Sequence, residues 1–287
     1  MWDAETGKQA ATPLGEHTAT AFALAVSPDG KFLATACADK IGRVYSMKSI
    51  FADRPVDGGA IDEQAFYPRK PVELKGHVET VRAVCVSHDS KRIVTGSYDT
   101  KLIVWLRDGT KCAVLTGHSH RVRCVDLTPD NHLLSSSDDG TVRVWTNWMS
   151  TDPSLREARV WRASKKRKPT LWAVAASVDR RYFFAGGDDK VVSMVSLDTL
   201  KTVRQLLTSG GVSSLCPTVD GQALLIGSFN KHASIQMLSV PNSPNDGLEQ
   251  DWHQPSEQDN VVDGLFPLEQ DRQQLSEQDN VVDELFP

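Results

Sequence analysis

The stretch SSSDDGTVRVWTNW, Ser135 to Trp148, places two adjacent carboxylates and a glycine before alternating apolar residues that lead to a tryptophan. Paired carboxylates carry out acid–base chemistry in some proteins and shape tight turns in others. A catalytic pair is needed once in a chain, whereas a turn device recurs wherever the chain repeats one folding unit. Whether the pattern recurs therefore decides between these interpretations of Asp138 and Asp139.

The pattern recurs with a period of 40 residues. TGSYDTKLIVW, Thr95 to Trp105, aligns with SSSDDGTVRVW, so that Asp99 precedes Asp139 by 40 residues. A Gly-His pair lies upstream of both copies, and weaker copies read TACADKIGRVY, AGGDDKVVSMV and GSFNKHASIQ. Each copy contains short runs that alternate apolar and polar residues between turns, which predicts strands. Four short strands repeated every 40 to 45 residues or so are typical of a β-propeller.

At these residues the sequence resembles the WD40-repeat β-propeller family, and the resemblance covers Trp2 to about Val240. It implies an all-β propeller with five recognisable blades over residues 1–240, followed by a disordered acidic tail at 241–287. It also implies that a buried hydrogen-bonded network of histidine, hydroxyl, aspartate and tryptophan holds each blade together. The matching residues are His17, Thr35 and Asp39, with Tyr45 in place of tryptophan, in the first blade; His77, Thr95, Asp99 and Trp105 in the second; and His118, Ser135, Asp139 and Trp145 in the third.

This network favours the turn interpretation of the opening stretch. Histidine, a hydroxyl and aspartate also make up a hydrolase triad, but here the set recurs in successive blades, and a satisfied buried network rigidifies a fold. Asp138 lies outside the network and is expected to point outward. The sequence contains no nucleophile elbow, phosphate-binding loop, HExxH motif or dinucleotide fingerprint. We therefore expect no catalytic residues, no cofactor and no metal.

The number of blades leaves two alternatives for how the propeller ends. Most of the family closes with seven blades, whereas five copies are visible here, which favours a partial propeller. Alternatively, Gly7 to Leu14 supplies the outer strand of the fifth blade and closes a five-bladed ring. An open ring leaves unpaired strands and apolar faces that promote association. Two segments that interrupt the period, residues 51–70 and 147–169, are interpreted as insertions.

The composition indicates a soluble globular protein, since 40% of the residues are hydrophobic and 24% are charged. No apolar run approaches the length of a membrane span, and the start MWDAETGKQ lacks the pattern of a secretory signal. Five widely spaced cysteines without a CxxC pair indicate reduced thiols. We therefore expect a cytoplasmic protein. The basic run at residues 165–168 resembles a nuclear-import signal, which makes a nuclear location the alternative.

Partner binding is predicted on the top face of the propeller, along one rim of the blades. In the family, partners often contact the residue just inside the first strand of each blade and the residue before the turn aspartate. The first position holds Phe22, Arg82, Arg123, Trp172 and Ser213, and the second holds Ala38, Tyr98, Asp138, Asp188 and Phe229. Aromatic residues and arginine are enriched in interface hot spots. The predicted protein-binding residues are Phe22, Arg82, Tyr98, Arg123, Asp138, Trp172 and Phe229.

The acidic tail contains a tandem repeat. Residues 248–287 hold eleven acidic residues against one arginine, and they form two 20-residue copies that match at 16 positions. This composition predicts disorder, because it supplies too little apolar surface for a core. In each copy a capping-box-like spacing precedes Val-Val and Leu-Phe at helical spacing. Two interpretations stay open: a motif that folds in the hydrophobic groove of a partner, or a duplication without function.

The predicted function is a non-enzymatic scaffold or adaptor that binds other proteins through this rim and, as a second element, the tail. One alternative is a propeller enzyme, which needs reactive residues around the central channel. Another is a ubiquitin-ligase substrate receptor, whose sequence box needs an acidic residue directly after tryptophan and an arginine two positions further on. Trp105 is followed at these positions by Leu106 and Asp108, and Trp145 by Thr146 and Trp148, so the arginine is missing. Neither alternative has a supporting motif. The net charge of −5 and the absence of a basic aromatic stripe argue against nucleic-acid binding.

Overall fold

The computed structural model describes residues 5–7, 14, 16–50, 70–150, 152–156, 158–164, 168–229 and 233–239. Within these ranges the chain forms nineteen β-strands, one short helix, α1 (Met47–Ile50), and a 3₁₀ turn at Pro153–Leu155. None of the helices in the described ranges is long and apolar enough to cross a membrane. The predicted tail, residues 241–287, lies outside the described residues.

The strands form five antiparallel sheets in which neighbours along the chain pair with each other. Sheet one contains β1 (Ala21–Val26), β2 (Phe32–Cys37), β3 (Ile41–Ser46) and β4 (Val72–Lys75), and sheet two contains β5 (Val81–Val86), β6 (Arg92–Ser97), β7 (Leu102–Leu106) and β8 (Lys111–Leu115). Sheet three contains β9 (Val122–Leu127), β10 (Leu133–Ser137), β11 (Thr141–Trp145) and β12 (Ala158–Arg162). Sheet four contains β13 (Leu171–Ala176), β14 (Tyr182–Gly187), β15 (Val191–Ser196) and β16 (Thr202–Leu207). Sheet five contains β17 (Gly211–Pro217), β18 (Ala223–Phe229) and β19 (Ala233–Ser239).

The turn after the first strand of each sheet is built from a hydroxyl and, in most sheets, an aspartate. In sheet one, the Ser27 hydroxyl donates to Asp29 Oδ1 at 2.7 Å and accepts from the backbone N–H of Phe32 at 3.0 Å. Ser177 and Asp179 repeat this arrangement in sheet four. The side chains satisfy backbone groups that the chain reversal leaves outside the ladder. The recurring Ser/Thr-x-Asp motifs are therefore local turn signals.

The sheets pack face to face in chain order. The first strands lie side by side, with β1 beside β5, β5 beside β9, β9 beside β13, and β13 beside β17. Each of the first three interfaces encloses an apolar layer, represented by Phe32, Val84 and Trp105 between sheets one and two; Leu102, Val125 and Trp145 between sheets two and three; and Trp161, Val174 and Phe183 between sheets three and four. Antiparallel sheets stacked around their first strands form a β-propeller. The predicted all-β propeller with five blades is confirmed.

Sheets one and five are the two ends of this stack. Among the described strands, β17 does not pack against β1 in the way that successive first strands pack against each other. Sheet five has three described strands, so β19 forms its edge. Leu14, the last residue of the segment considered for ring closure, packs on sheet one against Leu33, Tyr45 and Ile50. Residues 8–13 of that segment lie outside the described residues.

One interpreted insertion contains a strand of the propeller. Ala158–Arg162 forms β12, which pairs with β11 and completes sheet three. Trp161 on this strand is buried and contacts Phe183 edge to face, with 5.9 Å between the ring centroids. Trp148, just after β11, is also buried and donates its indole N–H to the carbonyl of Asn131 at 2.7 Å. The segment therefore contributes to the core. Residues 51–69 of the other interpreted insertion lie outside the described residues.

Candidate functional site

The network of sheet two joins four side chains in one hydrogen-bonded chain. His77 Nδ1 lies 2.8 Å from Asp99 Oδ2, and His77 Nε2 lies 2.8 Å from the Thr95 hydroxyl. The indole N–H of Trp105 donates to the same hydroxyl at 2.8 Å. A histidine that donates from Nδ1 to the carboxylate and accepts at Nε2 satisfies all of these groups. This chain of hydrogen bonds links the loop before the first strand of the blade to its second and third strands.

Sheet three repeats this network. His118 bridges Asp139 and Ser135, at 2.9 and 2.8 Å, and the Trp145 indole donates to Ser135 at 3.0 Å. Thr141 adds a hydroxyl donor to Asp139 at 2.6 Å. Burial disfavours the charged carboxylate, but the His118 hydrogen bond and charge, together with Thr141, outweigh it and hold the pKa of Asp139 well below its usual range. The network therefore stabilises an ionised aspartate inside the blade.

Sheet one builds its network differently, around Arg43. Arg43 Nη1 lies 2.9 Å from His17 Nδ1 and donates to Asp39 Oδ2 at 2.7 Å, while His17 Nε2 lies 3.0 Å from the Thr35 hydroxyl. Because the guanidinium can only donate, His17 Nδ1 accepts here instead of donating to the aspartate. Burial and the positive charge of Arg43 lower the pKa of His17. The buried Tyr45 hydroxyl has no hydrogen-bond partner among the described residues, and burial raises its pKa to about 12.

Three side chains that could bind a metal ion lie close together in sheet one, and Arg43 contacts two of them. His17, Cys37 and Asp39 each offer a ligand atom, and these atoms lie within 4.8 Å of one another. Arg43 Nη1 contacts two of the three, and the Cys37 thiol donates to the carbonyl of Ala19 at 3.1 Å. A fixed positive charge at this position disfavours a metal cation. The geometry is that of a guanidinium site.

The networks of sheets two and three do not present a hydrolase triad to a substrate. The side chains of His77 and His118 are 0% exposed, and those of Asp99 and Asp139 are 3% and 7% exposed. Each hydroxyl also accepts an indole N–H, so it lies within the sheet and not in an open cleft. A general base must reach the proton that it abstracts in a bound substrate. This geometry supports a structural role for the networks.

A further carboxylate, that of the half-buried Asp126, links two neighbouring sheets. Asp126, on β9, accepts from the backbone N–H of Ala176, on β13, at 2.8 Å. Burial raises the pKa of Asp126, and the hydrogen bonds from the backbone and the charge of His88 oppose that rise only partly. The carboxylate therefore fixes the two first strands relative to each other, at the cost of burying a negative charge.

At the start of the first strand, each sheet carries a β-bulge. The ladder register shifts between Ala21 and Ala23 in sheet one, and at the equivalent place in the four other sheets. The extra residue at each bulge is Phe22, Arg82, Arg123, Trp172 or Ser213, which is the first of the two sequence-predicted rim positions. A bulge re-aims the side chain of its extra residue. We call the edge formed by these residues and the ends of the second strands the bulge rim.

On the bulge rim, Arg123 joins residues of two blades. Its guanidinium donates to both oxygens of Asp138, at 2.7 and 2.8 Å, and to the Tyr98 hydroxyl at 2.7 Å. The guanidinium groups of Arg121 and Arg123 lie 5.0 and 4.9 Å from the centroid of the Tyr98 ring, within cation–π range. Burial disfavours the charged form, but the Asp138 hydrogen bonds and charge raise the pKa of Arg123. An aromatic ring contacted by two cations is therefore held in place by a forked ion pair.

The expected outward orientation of Asp138 is wrong. Its side chain is 5% exposed, and its two oxygens face Arg123. Because a buried carboxylate needs a counter-charge and donors, the forked guanidinium of the same blade draws it inward. Asp138 thus lies outside the His118 network, as predicted, but positions Arg123 instead of facing solvent.

The structure brings only some of the other predicted rim residues together. Arg82 stacks on Phe22 with 4.7 Å between its guanidinium carbon and the ring centroid. Trp172 is half-buried and covers Gly211, where an added Cβ would lie 2.6 Å from the indole. Phe229, the ladder partner of Gly211, is 69% exposed. The remaining positions are small or bonded locally: Ala38 is half-buried, Asp188 accepts from the Thr170 N–H, and Ser213 donates to the Gly227 carbonyl.

Sequence reasoning missed three residues of these sites. Arg43 lies four positions after Asp39, but Arg143 has the same spacing after Asp139 and donates to the Gly117 carbonyl instead, so the spacing alone could not have placed Arg43 in the first network. Arg121 precedes the bulge residue Arg123 by two positions and is exposed. His120 lies beside Asp138, with 3.9 Å between Nδ1 and Oδ2. Arg121 therefore adds a second guanidinium beside Arg123 at this part of the rim.

The comparisons with known proteins agree with this geometry. The family profile described as WD domain, G-beta repeat matches residues 7–46, 69–105 and 109–146. The chain is 32% identical over 174 residues to a guanine nucleotide-binding protein subunit beta of Zea mays, covering 57% of this chain and 45% of that relative. It is 29% identical over 174 residues to the WD repeat-containing protein WDS homolog of Arabidopsis thaliana, covering 50% of this chain and 33% of that relative. This chain spans less than half of the length of either.

A solved structure shares the fold. The crystal structure of RRP9 WD40 repeats superimposes with a TM-score of 0.65 at 18% identity, covering 84% of this chain and 69% of that chain. At this identity the likeness concerns the fold alone. The matched residues extend from β1 to β11 and contain the three networks, while β12 of sheet three lies outside them.

Proposed function

This chain belongs to the WD40-repeat β-propeller family, and from that premise we propose that it is a non-enzymatic scaffold that binds partner proteins on its bulge rim. The observation that carries the proposal is the cluster in which Arg121 and Arg123 flank Tyr98. Arginine and tyrosine are the residues that most often dominate interface energetics. The forked ion pair to Asp138 holds the cluster in one geometry before a partner arrives, which lowers the entropic cost of binding.

The chemistry of the rim favours a partner with acidic side chains. Arg82 and Arg121 add positive charge to the rim beside the paired Arg123. The ring of Tyr98 is contacted by cations and can bury apolar area at the same time. A loop of a partner protein that carries carboxylates next to an apolar residue fits these features. Capture of such a loop requires no bond making, so no catalytic group is needed.

The experiment that tests this proposal compares arginine side chains at the two ends of the blades. Arg82→Ala and Arg121→Ala remove rim cations without breaking the ion pair of Arg123. The matched control is Arg107→Ala, because Arg107 stacks on Phe32 at 5.1 Å in the β7–β8 turn, at the opposite end of the blades. Arg123→Ala is unsuitable, since it leaves the buried Asp138 carboxylate without its counter-charge.

Affinity purification from lysate with quantitative mass spectrometry gives the readout, normalised to folded protein. We expect the rim variants to reduce partner capture by about 5- to 100-fold, which corresponds to hot-spot losses of about 1 to 3 kcal/mol. Arg107→Ala should retain every partner. Full retention by both rim variants, or an equal loss in the control, would show that the rim is not the binding surface.

Cytoplasmic location, with nuclear import through the basic run at residues 165–168 as the alternative, is part of the proposal. The acidic tail repeats are proposed as a second binding element for a partner with a hydrophobic groove. Residues 165–167 and the tail lie outside the described residues. Imaging of a fluorescent fusion, with and without substitution of the basic run, distinguishes the two locations.

A further inference from the structure

Among the described residues, nothing covers a face of sheet five that is buried in the equivalent sheet two. Ladder pairing places Leu225 opposite Met237 and Gly227 opposite Ile235, so these residues share one face. Leu225 is 37% exposed, Met237 64% and Ile235 78%. The other face of β18 is buried, with Leu224 and Ile226 both 0% exposed. The exposed apolar residues are therefore confined to the side of sheet five that points away from sheet four.

The same positions in sheet two show what normally covers this face. Val94, Leu102 and Val104 occupy the ladder positions of Leu225, Ile235 and Met237, and they are at most 1% exposed. They are buried in the layer that also contains Val125 and Leu127 of sheet three. A neighbouring sheet that presents branched residues from its first strand is thus the normal occupant. We call this side of a sheet its following face.

Sheet one leaves bare the opposite half of the same interface. Leu24 and Val26, on β1, are 69% and 50% exposed. Their equivalents in sheet two, Val84 and Val86, are 7% and 8% exposed because they pack against sheet one. We call the side of a sheet that carries these residues its preceding face. The chain therefore carries both halves of an interface that it forms internally between successive sheets.

We propose that sheet five of one copy packs on sheet one of a second copy, so that the chain associates head to tail. The following face of sheet five contacts Leu24 and Val26 of the second copy, in the same way as the following face of sheet two contacts Val125 and Leu127 of sheet three. The contact continues the stacking that already joins the five sheets within one copy. It is heterologous, because two different surfaces meet, and each dimer keeps one free face of each kind.

Side-chain size favours this pairing over sheet five packing on itself. The following face of the first strand carries small residues: Ala23 and Ala25 in sheet one, Ala83 and Cys85 in sheet two, and Ser214 and Cys216 in sheet five. The preceding face carries larger ones, such as Leu24 and Val26. Large residues fill the space above small ones in a close-packed interface, whereas two following faces would leave gaps between their first strands.

The test uses the full chain and two complementary double variants. The front variant, Leu24→Glu with Val26→Glu, blocks the preceding face of sheet one. The back variant, Ile235→Glu with Met237→Glu, blocks the following face of sheet five. The control is Val219→Glu, because Val219 lies in the β17–β18 turn, away from both faces, and is 95% exposed. Circular dichroism and thermal unfolding establish that each variant is folded.

Sedimentation velocity and light scattering over micromolar concentrations give the readout. We expect the parent and the control to rise above the monomer mass with concentration, and each double variant to stay monomeric. An equimolar mixture of the two variants should form a 1:1 dimer that does not grow further, because only one compatible pair of faces remains. A parent that is monomeric throughout, whether through internal closure or for lack of attraction, overturns the proposal. A front variant that still dimerises, with no dimer specific to the mixture, overturns it in favour of packing between two copies of sheet five.

Discussion

Replacing Asp139 with alanine is expected to lower the free energy of unfolding by about 3 to 4 kcal/mol. The carboxylate accepts four hydrogen bonds: from His118 at 2.9 Å, from the backbone N–H of Ser119 at 3.0 Å, and from the backbone N–H and hydroxyl of Thr141 at 3.0 and 2.6 Å. The His118 and Thr141 side chains are buried, and alanine leaves His118 Nδ1 only the Thr141 hydroxyl at 3.3 Å, while the hydroxyl and backbone N–H of Thr141 lose the carboxylate acceptor. An unsatisfied buried donor costs about 1 to 3 kcal/mol, and the Ser119 N–H regains water more cheaply.

The loss of stability caused by Asp139→Ala should become smaller as the pH falls. The pKa of Asp139 is lowered in the folded protein, whereas the unfolded chain has the ordinary value of about 3.9. Its stabilising contribution is therefore complete above the unfolded pKa and is lost as the pH falls through the lower folded pKa. The difference in stability between the parent and Asp139→Ala should narrow as the pH is lowered from about 5 toward 2.

Urea unfolding followed by tryptophan fluorescence measures this difference. The control is Asp130→Ala, because Asp130 lies exposed in the β9–β10 turn of the same sheet. It should change the free energy of unfolding by less than about 0.5 kcal/mol, as surface substitutions usually do. A loss below that value for Asp139→Ala at neutral pH, or a loss that does not vary with pH, would refute the assignment of Asp139 as the ionised centre of the network.

Two further substitutions are expected to stabilise the protein. Asp126→Asn should raise the melting temperature at pH 7, because burial raises the pKa of this carboxyl and an amide oxygen can still accept from the N–H of Ala176. The gain in melting temperature should grow as the pH rises above about 4, because the carboxylate of the parent ionises there. Thermal unfolding between pH 4 and 8 measures it, and a lower melting temperature at pH 7 would contradict the reasoning. Tyr45→Phe removes a buried hydroxyl without a partner among the described residues and should raise the free energy of unfolding by about 1 kcal/mol. The urea midpoint checks this, and an equally large decrease would show that the hydroxyl is hydrogen-bonded in the folded protein.

The blades can be predicted from the sequence because their signals are local and repeat. The offsets from Gly-His to the turn aspartate and to the third-strand tryptophan are nearly the same in sheets two and three, so one recognised blade supplies the register of the next. Turn motifs such as Ser27 with Asp29 mark the strand ends through hydrogen bonds between residues two to five positions apart. The alternation of apolar and polar residues then indicates which face of each strand is buried.

The features that the sequence did not predict depend on contacts outside this local register. The orientation of Asp138 depends on Arg123, and that of Arg123 on Tyr98 in the preceding sheet, 25 residues away. Arg43 contacts His17 and Asp39 in the first network, whereas Arg143, at the same spacing after Asp139, donates to the carbonyl of Gly117. Strand β12 escaped recognition because its five residues, ARVWR, follow an irregular segment without the usual hairpin spacing.

The bulge at the start of every first strand presents a side chain on the rim without using that residue in the ladder that holds the sheet together. The extra residue has no ladder partner, and four residue types occupy the five bulge positions while the flanking strands keep their pairing. Positions of this kind tolerate diversification, because a change there leaves the backbone hydrogen bonds of the sheet intact. A combinatorial library could vary Phe22, Arg82, Trp172 and Ser213 and keep the Arg123–Asp138 pair constant. The propeller would then serve as a display framework, and the side chains at these four positions would determine what it binds.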